Sequence, residues 1–69
     1  MTLEDFRIQC SWSKNQMARE AKIDINTLNR ALNGESISLA TADKLATAIS
    51  KKLGRSMHWK EIKGLNVNM

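Results

Sequence analysis

Between Asp24 and Gly34 the chain reads DINTLNRALNG, and four of its residues, Asn26, Thr27, Asn29 and Arg30, carry groups suited to specific recognition. A carboxamide sets a donor beside an acceptor and can grip an adenine edge through two hydrogen bonds. A guanidinium can grip a guanine edge or a phosphate, and the side chain of Ile25 or the methyl of Thr27 can meet a thymine methyl. Catalysis has no comparable set. There is no acid/base pair of carboxylates, no nucleophile with a histidine partner and no glycine-rich phosphate loop, so no enzyme is expected. One cysteine, Cys10, and one histidine, His58, cannot make an internal disulfide or a metal cluster. No metal, cofactor or small-molecule ligand is expected.

Those groups need a scaffold, and the chain offers helix signals almost throughout. Thr2 with Asp5 opens a first helix that places Leu3, Phe6 and Cys10 on one side and Ile8 and Trp12 on another. Ser13 and Gln16 fit a capping box, so a second helix starts near Lys14 and ends near Ala21 or Lys22. Asp24 offers its carboxylate to the free amides of a third helix that runs to Leu32 and stops at Asn33-Gly34. The stretch GESIS reads as loop. Ser38 or Thr41 caps a fourth helix with Leu39, Ala42, Leu45, Ala46, Ile49 and Leu53 at steps of three and four, ended by Gly54. A last helix is expected from Ser56 to Lys63. Beyond it Leu65, Val67 and Met69 alternate, which fits either a short strand or a disordered tail.

Size and charge limit what such a scaffold can serve. A chain of 69 residues, 42% of them hydrophobic, is one small domain with a modest core. Eleven Lys and Arg against seven Asp and Glu leave a net charge of +4, which favours polyanionic partners. No signal core and no membrane-length apolar stretch is visible, so a cytoplasmic location, near the nucleoid of a prokaryotic or phage-infected cell, is expected and no membrane partner.

Two short helices joined by a tight turn inside a basic helical domain make a helix-turn-helix. Starting the pair at Lys14 places Met17, Ala21, Ile23, Leu28 and Ala31 where the two helices must meet, with Ala18 at their closest approach. The stretch SKNQMAREAKIDINTLNRALNGESISLATADKLATAI resembles the core of the Cro and CI phage-repressor superfamily, the XRE family of helix-turn-helix proteins, over Leu3 to Leu53. The resemblance implies an all-α, lambda-repressor-like bundle of about five short helices, with residues 1–63 as the DNA-binding domain and 64–69 as a tail that dimerises or stays disordered. Two positions depart from the family. Lys14 stands where glutamine usually opens the second helix, and Lys22 stands where glycine is favoured in the turn. A non-glycine residue held left-handed there costs about 1 kcal/mol.

In a helix-turn-helix the second helix of the pair lies in the major groove and the first crosses the backbone. Ile25, Asn26, Thr27, Asn29 and Arg30 are then the base-reading residues. Lys14 and Asn15 suit a phosphate at the start of the preceding helix, and Asn33 and Gly34 resemble the family's second phosphate clamp. The partner is double-stranded DNA, with a palindromic operator read by a homodimer because two half-sites about 34 Å apart need two helices. Trp59, Ile62, Leu65 and Val67 are candidates for the dimer surface. A small Cro-like repressor acting by operator occlusion is the expected function. The rival is a protein-interaction module on the same fold, which would call for larger apolar anchors on the outer face of the third helix.

Overall fold

In the opening residues a reciprocal cap starts the first helix. The Thr2 amide donates to Asp5 Oδ2 at 3.0 Å and the Asp5 amide to Thr2 Oγ1 at 3.2 Å, and α1 runs Leu3–Gln9. The computed structural model describes residues 1–68. α2 spans Lys14–Ala21, α3 Ile25–Leu32 and α4 Leu39–Leu53. Ser13 caps α2 by accepting from the Gln16 amide at 3.1 Å. Only that half of the expected capping box forms.

The turn between α2 and α3 is left-handed at Lys22, with φ 59 and ψ 43. A second left-handed residue, Ser11, follows α1 at φ 59. It breaks the helix before Trp12, so Ile8 and Trp12 do not share a face: Ile8 is 62% exposed while Trp12 enters the core. Arg7 secures this corner. Its Nε and Nη2 donate to both Glu4 carboxylate oxygens at 2.7 and 2.5 Å, and its Nη1 donates to the Trp12 carbonyl at 2.7 Å. Three of its five donors are spent within the corner, and its role there is structural.

The core follows the helical spacing. Met17, Leu28, Leu45 and Ile49 are fully buried, joined by Leu3, Phe6, Trp12 and the small Ala18, Ala21 and Ala31 where α2 and α3 approach. Cys10 lies among them as a buried hydrophobe, and burial pushes its thiol pKa up, which disfavours the reactive thiolate.

Three expectations need correction. The fold is not all-α: Ser36–Ser38, inside GESIS, is a strand, β1, and it pairs in parallel with β2, Asn66–Asn68, Ile37 lying opposite Val67. Of the two readings of the tail, the strand is the one that forms; Met69 lies outside the described residues. The expected fifth helix is only a 3₁₀ turn at Trp59–Glu61. His58 opens it, its Nδ1 accepting from the Lys60 amide at 3.1 Å while Glu61 accepts from the His58 amide at 2.7 Å. So short a cap closes one turn, and the chain then leaves in extended conformation at Ile62. A bridge between Thr2 and Lys63, with the Lys63 amide donating to the Met1 carbonyl at 2.9 Å, ties the C-terminal tract to the start of α1.

Candidate nucleic-acid interface

α3 exists because one face of it is apolar. Leu28 and Ala31 are buried, and with about 3.6 residues per turn the side opposite them carries Asn26, Asn29, Arg30 and Asn33 on one stripe. Asn26, Arg30 and Asn33 are exposed and Asn29 is half-exposed. Ile25 and Thr27, both half-buried, border that stripe on its two sides. All five residues expected to read bases are thus brought onto one surface.

Two of them are already engaged. The Thr27 hydroxyl donates to Asp24 Oδ1, and this bond, first among the causes, holds the Asp24 carboxyl below its usual pKa range. Asp24 occupies the N-cap position with extended backbone, but its carboxylate makes no capping bond to the helix amides. The expected amide cap is therefore corrected: the carboxylate is bonded by the Thr27 hydroxyl instead. With its proton committed, the Thr27 hydroxyl can only accept, and its methyl remains for an apolar contact. Arg30 leans away from the middle of the stripe. Its Nη2 donates to the Ser36 carbonyl at 3.0 Å, and its Nε stands 3.9 Å from Glu35 Oε1, with the side chain still 58% exposed.

The phosphate candidates fall in two places. Lys14 and Asn15 are exposed at the first turn of α2. Asn33 and Gly34 close α3, Gly34 at φ +79, where a side chain would be strained. They border a concavity shared with Thr2, Glu4, Lys63 and Gly64. The Asn66 side-chain amide donates to the Gly34 carbonyl at 3.5 Å, a long bond from β2 to the end of α3.

The residues proposed to meet a second copy are spread. Ile62 is 3% exposed and seals the core, so it has no surface to offer a partner. Trp59, Leu65 and Val67 are half-buried. The Trp59 ring lies 5.5 Å from that of His58, and Lys60 Nζ lies 5.9 Å from the Trp59 ring centre.

Sequence reasoning missed the polar residues of the sheet. Ser36, Ser38 and Asn68 line a concavity with Thr27 and Arg30 of α3 and Thr41 of α4. Serine and asparagine are turn formers with low strand preference, so nothing local marks them as strand residues. A second basic concavity, bordered by Arg19, Lys22, Lys51 and Lys52 beside Trp12, lies where α2 and α4 end. Cations there offset the negative helix termini.

Among the described residues no helix is long and apolar enough to cross a membrane, and no cluster of metal-ligating side chains is present. No curated protein and no solved structure shows significant similarity to the chain. A family model does: the chain matches the helix-turn-helix family HTH_3 over residues 3–59, and it belongs to that Cro/CI-type family of non-enzymatic DNA-binding domains.

Proposed function

We propose that this DNA-binding domain is a sequence-specific repressor, Cro-like and carried by a phage or another mobile element, that acts by occupying an operator. One observation carries the reading. α3 is buried on one side by Leu28 and Ala31 and presents amides and a guanidinium on the other. A helix meant to dock on a protein groove would be anchored by large apolar side chains on its outer face. With no effector domain within these residues, occlusion is the simplest way for bound protein to act.

In this reading Asn26 and Asn29 grip base edges, and Lys14 with Asn15 holds a phosphate. Asn33 and Gly34 form the second clamp. Arg30, held near Ser36 and Glu35, serves either a base or a phosphate once released. A homodimer presents two such helices to two half-sites, with Trp59, Leu65 and Val67 as the remaining contact candidates.

Salt titrations on operator and scrambled duplexes test the assignment. Lys14→Ala lowers affinity for both and reduces the slope of log affinity against log salt by about one contact's share. Asn26→Ala and Asn29→Ala each cost roughly 1 to 3 kcal/mol on the operator and little elsewhere. Intact operator discrimination in both asparagine variants would remove α3 as the reader. A sedimenting monomer that footprints one unpaired half-site would end the dimer reading.

A further inference from the structure

The polar sheet, unlike α3, has no place in that reading, and its location is specific. The pairing of β2 with β1 sets Asn68 opposite Ser38, the residue that caps α4. Asn68 thereby borders the same concavity as Thr27 and Arg30. β2 alternates, with Val67 turned toward the core and Asn66 and Asn68 exposed. Asn66 reaches back to Gly34, whereas among the described residues the Asn68 amide has no hydrogen-bond partner.

The concavity is chemically one-sided. Its cation is Arg30, with Glu35 3.9 Å away outside the lining, and no carboxylate lines it. Of its hydroxyls, that of Thr27 is held by Asp24 and those of Ser38 and Thr41 bond each other at 2.9 Å, which leaves the Asn68 amide as an unengaged donor among the described residues. It is continuous with the reading stripe through Arg30. A helix seated in a major groove about 12 Å wide has a wall of phosphates on each side, and a neutral amide donor near one cation suits such a wall without carrying sequence information. We infer that the C-terminal strand is part of the DNA interface, and that Asn68 donates a hydrogen bond to a backbone phosphate flanking the groove read by α3. The inference rests on the DNA-binding reading above.

The test uses the full chain, with Asn68→Ala, Asn68→Asp and a control, Ser56→Asp. Ser56 follows the far end of α4, a helix of 15 residues and so about 22 Å long from its Ser38 cap, a span over which charges are screened by physiological salt. Affinity is measured on operator and scrambled duplexes, and phosphate contacts are mapped by ethylation interference. Asn68→Ala lowers affinity about three- to tenfold on both duplexes, the share of one neutral hydrogen bond. The salt slope stays unchanged, because no cation is removed. Asn68→Asp loses more than Asn68→Ala, Ser56→Asp changes little, and one interference site present with the unaltered protein vanishes from both Asn68 variants. Thermal midpoints equal to that of the unaltered protein separate a contact from a structural role. Asn68→Asp matching Ser56→Asp within about twofold overturns the inference while leaving DNA binding in place, and so does a loss confined to the operator. Failure of the unaltered protein to bind either duplex removes the underlying reading instead.

Discussion

The helix pair α2–α3 and the C-terminal tract from Gly54 onward are held in different ways. α2 and α3 are set by signals a few residues apart: Ser13 capping Gln16, the left-handed Lys22, and Met17, Ala18, Ala21 and Leu28 buried between adjacent helices. The tract instead depends on remote partners. Its one 3₁₀ turn is brief, and its position comes from β1, from the start of α1 and from Ile62 in the core. The contrast teaches that a candidate reading helix can be specified locally while the surface beside it is completed from far along the chain.

The largest blow to the first region is Leu28→Ala. Leu28 is fully buried between the helices, and its truncation costs about 2 to 5 kcal/mol, measured by urea unfolding. A loss well below 1 kcal/mol would show that the α2–α3 contact is not what holds the pair.

Next comes Val67→Asp, which places a charge on the half-buried residue opposite Ile37. A cost of roughly 1 to 3 kcal/mol is expected. Hydrogen exchange sharpens the contrast: protection falls at Ser36–Ser38 and Asn66–Asn68 while amides of α2 and α3 keep theirs. Equal loss in all of them would break the comparison and make the two regions one cooperative unit.

Lys22→Gly should stabilise the protein by about 0.5 to 1 kcal/mol, the relief of left-handed strain less the entropy of glycine. Thermal unfolding of both proteins decides it, and a lower midpoint would deny that strain is stored in the turn.

The smallest effect is that of acid. Glu4, Asp5 and Asp24 have pKa values lowered in the folded state, by hydrogen bonds from Arg7, from Thr2 and from Thr27 respectively. A lowered folded pKa contributes stability that is present above the unfolded carboxylate value, about 4, and is lost as pH falls through the folded one. All three groups belong to the starts of α1 and α3. Melting temperature should therefore fall below about pH 4, and Asp24→Asn should flatten part of that fall. An unchanged acid profile in that variant would separate Asp24 from the stability of α3.

The four α-helices were legible because apolar residues at three- and four-residue steps coincide with Thr2, Ser13, Ser38 and Gly54 at their ends. The candidate reading face was legible for the same reason, since burying Leu28 and Ala31 dictates where Asn26, Asn29 and Arg30 stand. The sheet was not. Each strand is three residues long with one apolar member, and serine and asparagine around it signal turns. Parallel pairing between segments so far apart in sequence has no local signal of its own. Other misses were matters of competition between neighbours: Thr27 took the Asp24 carboxylate from the helix amides, and left-handed Ser11 ended α1 before Trp12 could join it.

The parallel pairing also sets an order on the birth of the molecule. A chain emerging from the ribosome presents its N-terminal part first, so Ser36–Ser38 leaves it before the residues that will become β2. Through that interval the hydrogen-bonding edge of Ser36–Ser38 lacks its partner, and an unpaired edge can recruit the wrong strand. The brevity of β1 and the serines on either side of Ile37 keep that edge a poor template for aggregation until Asn66–Asn68 arrives to close it.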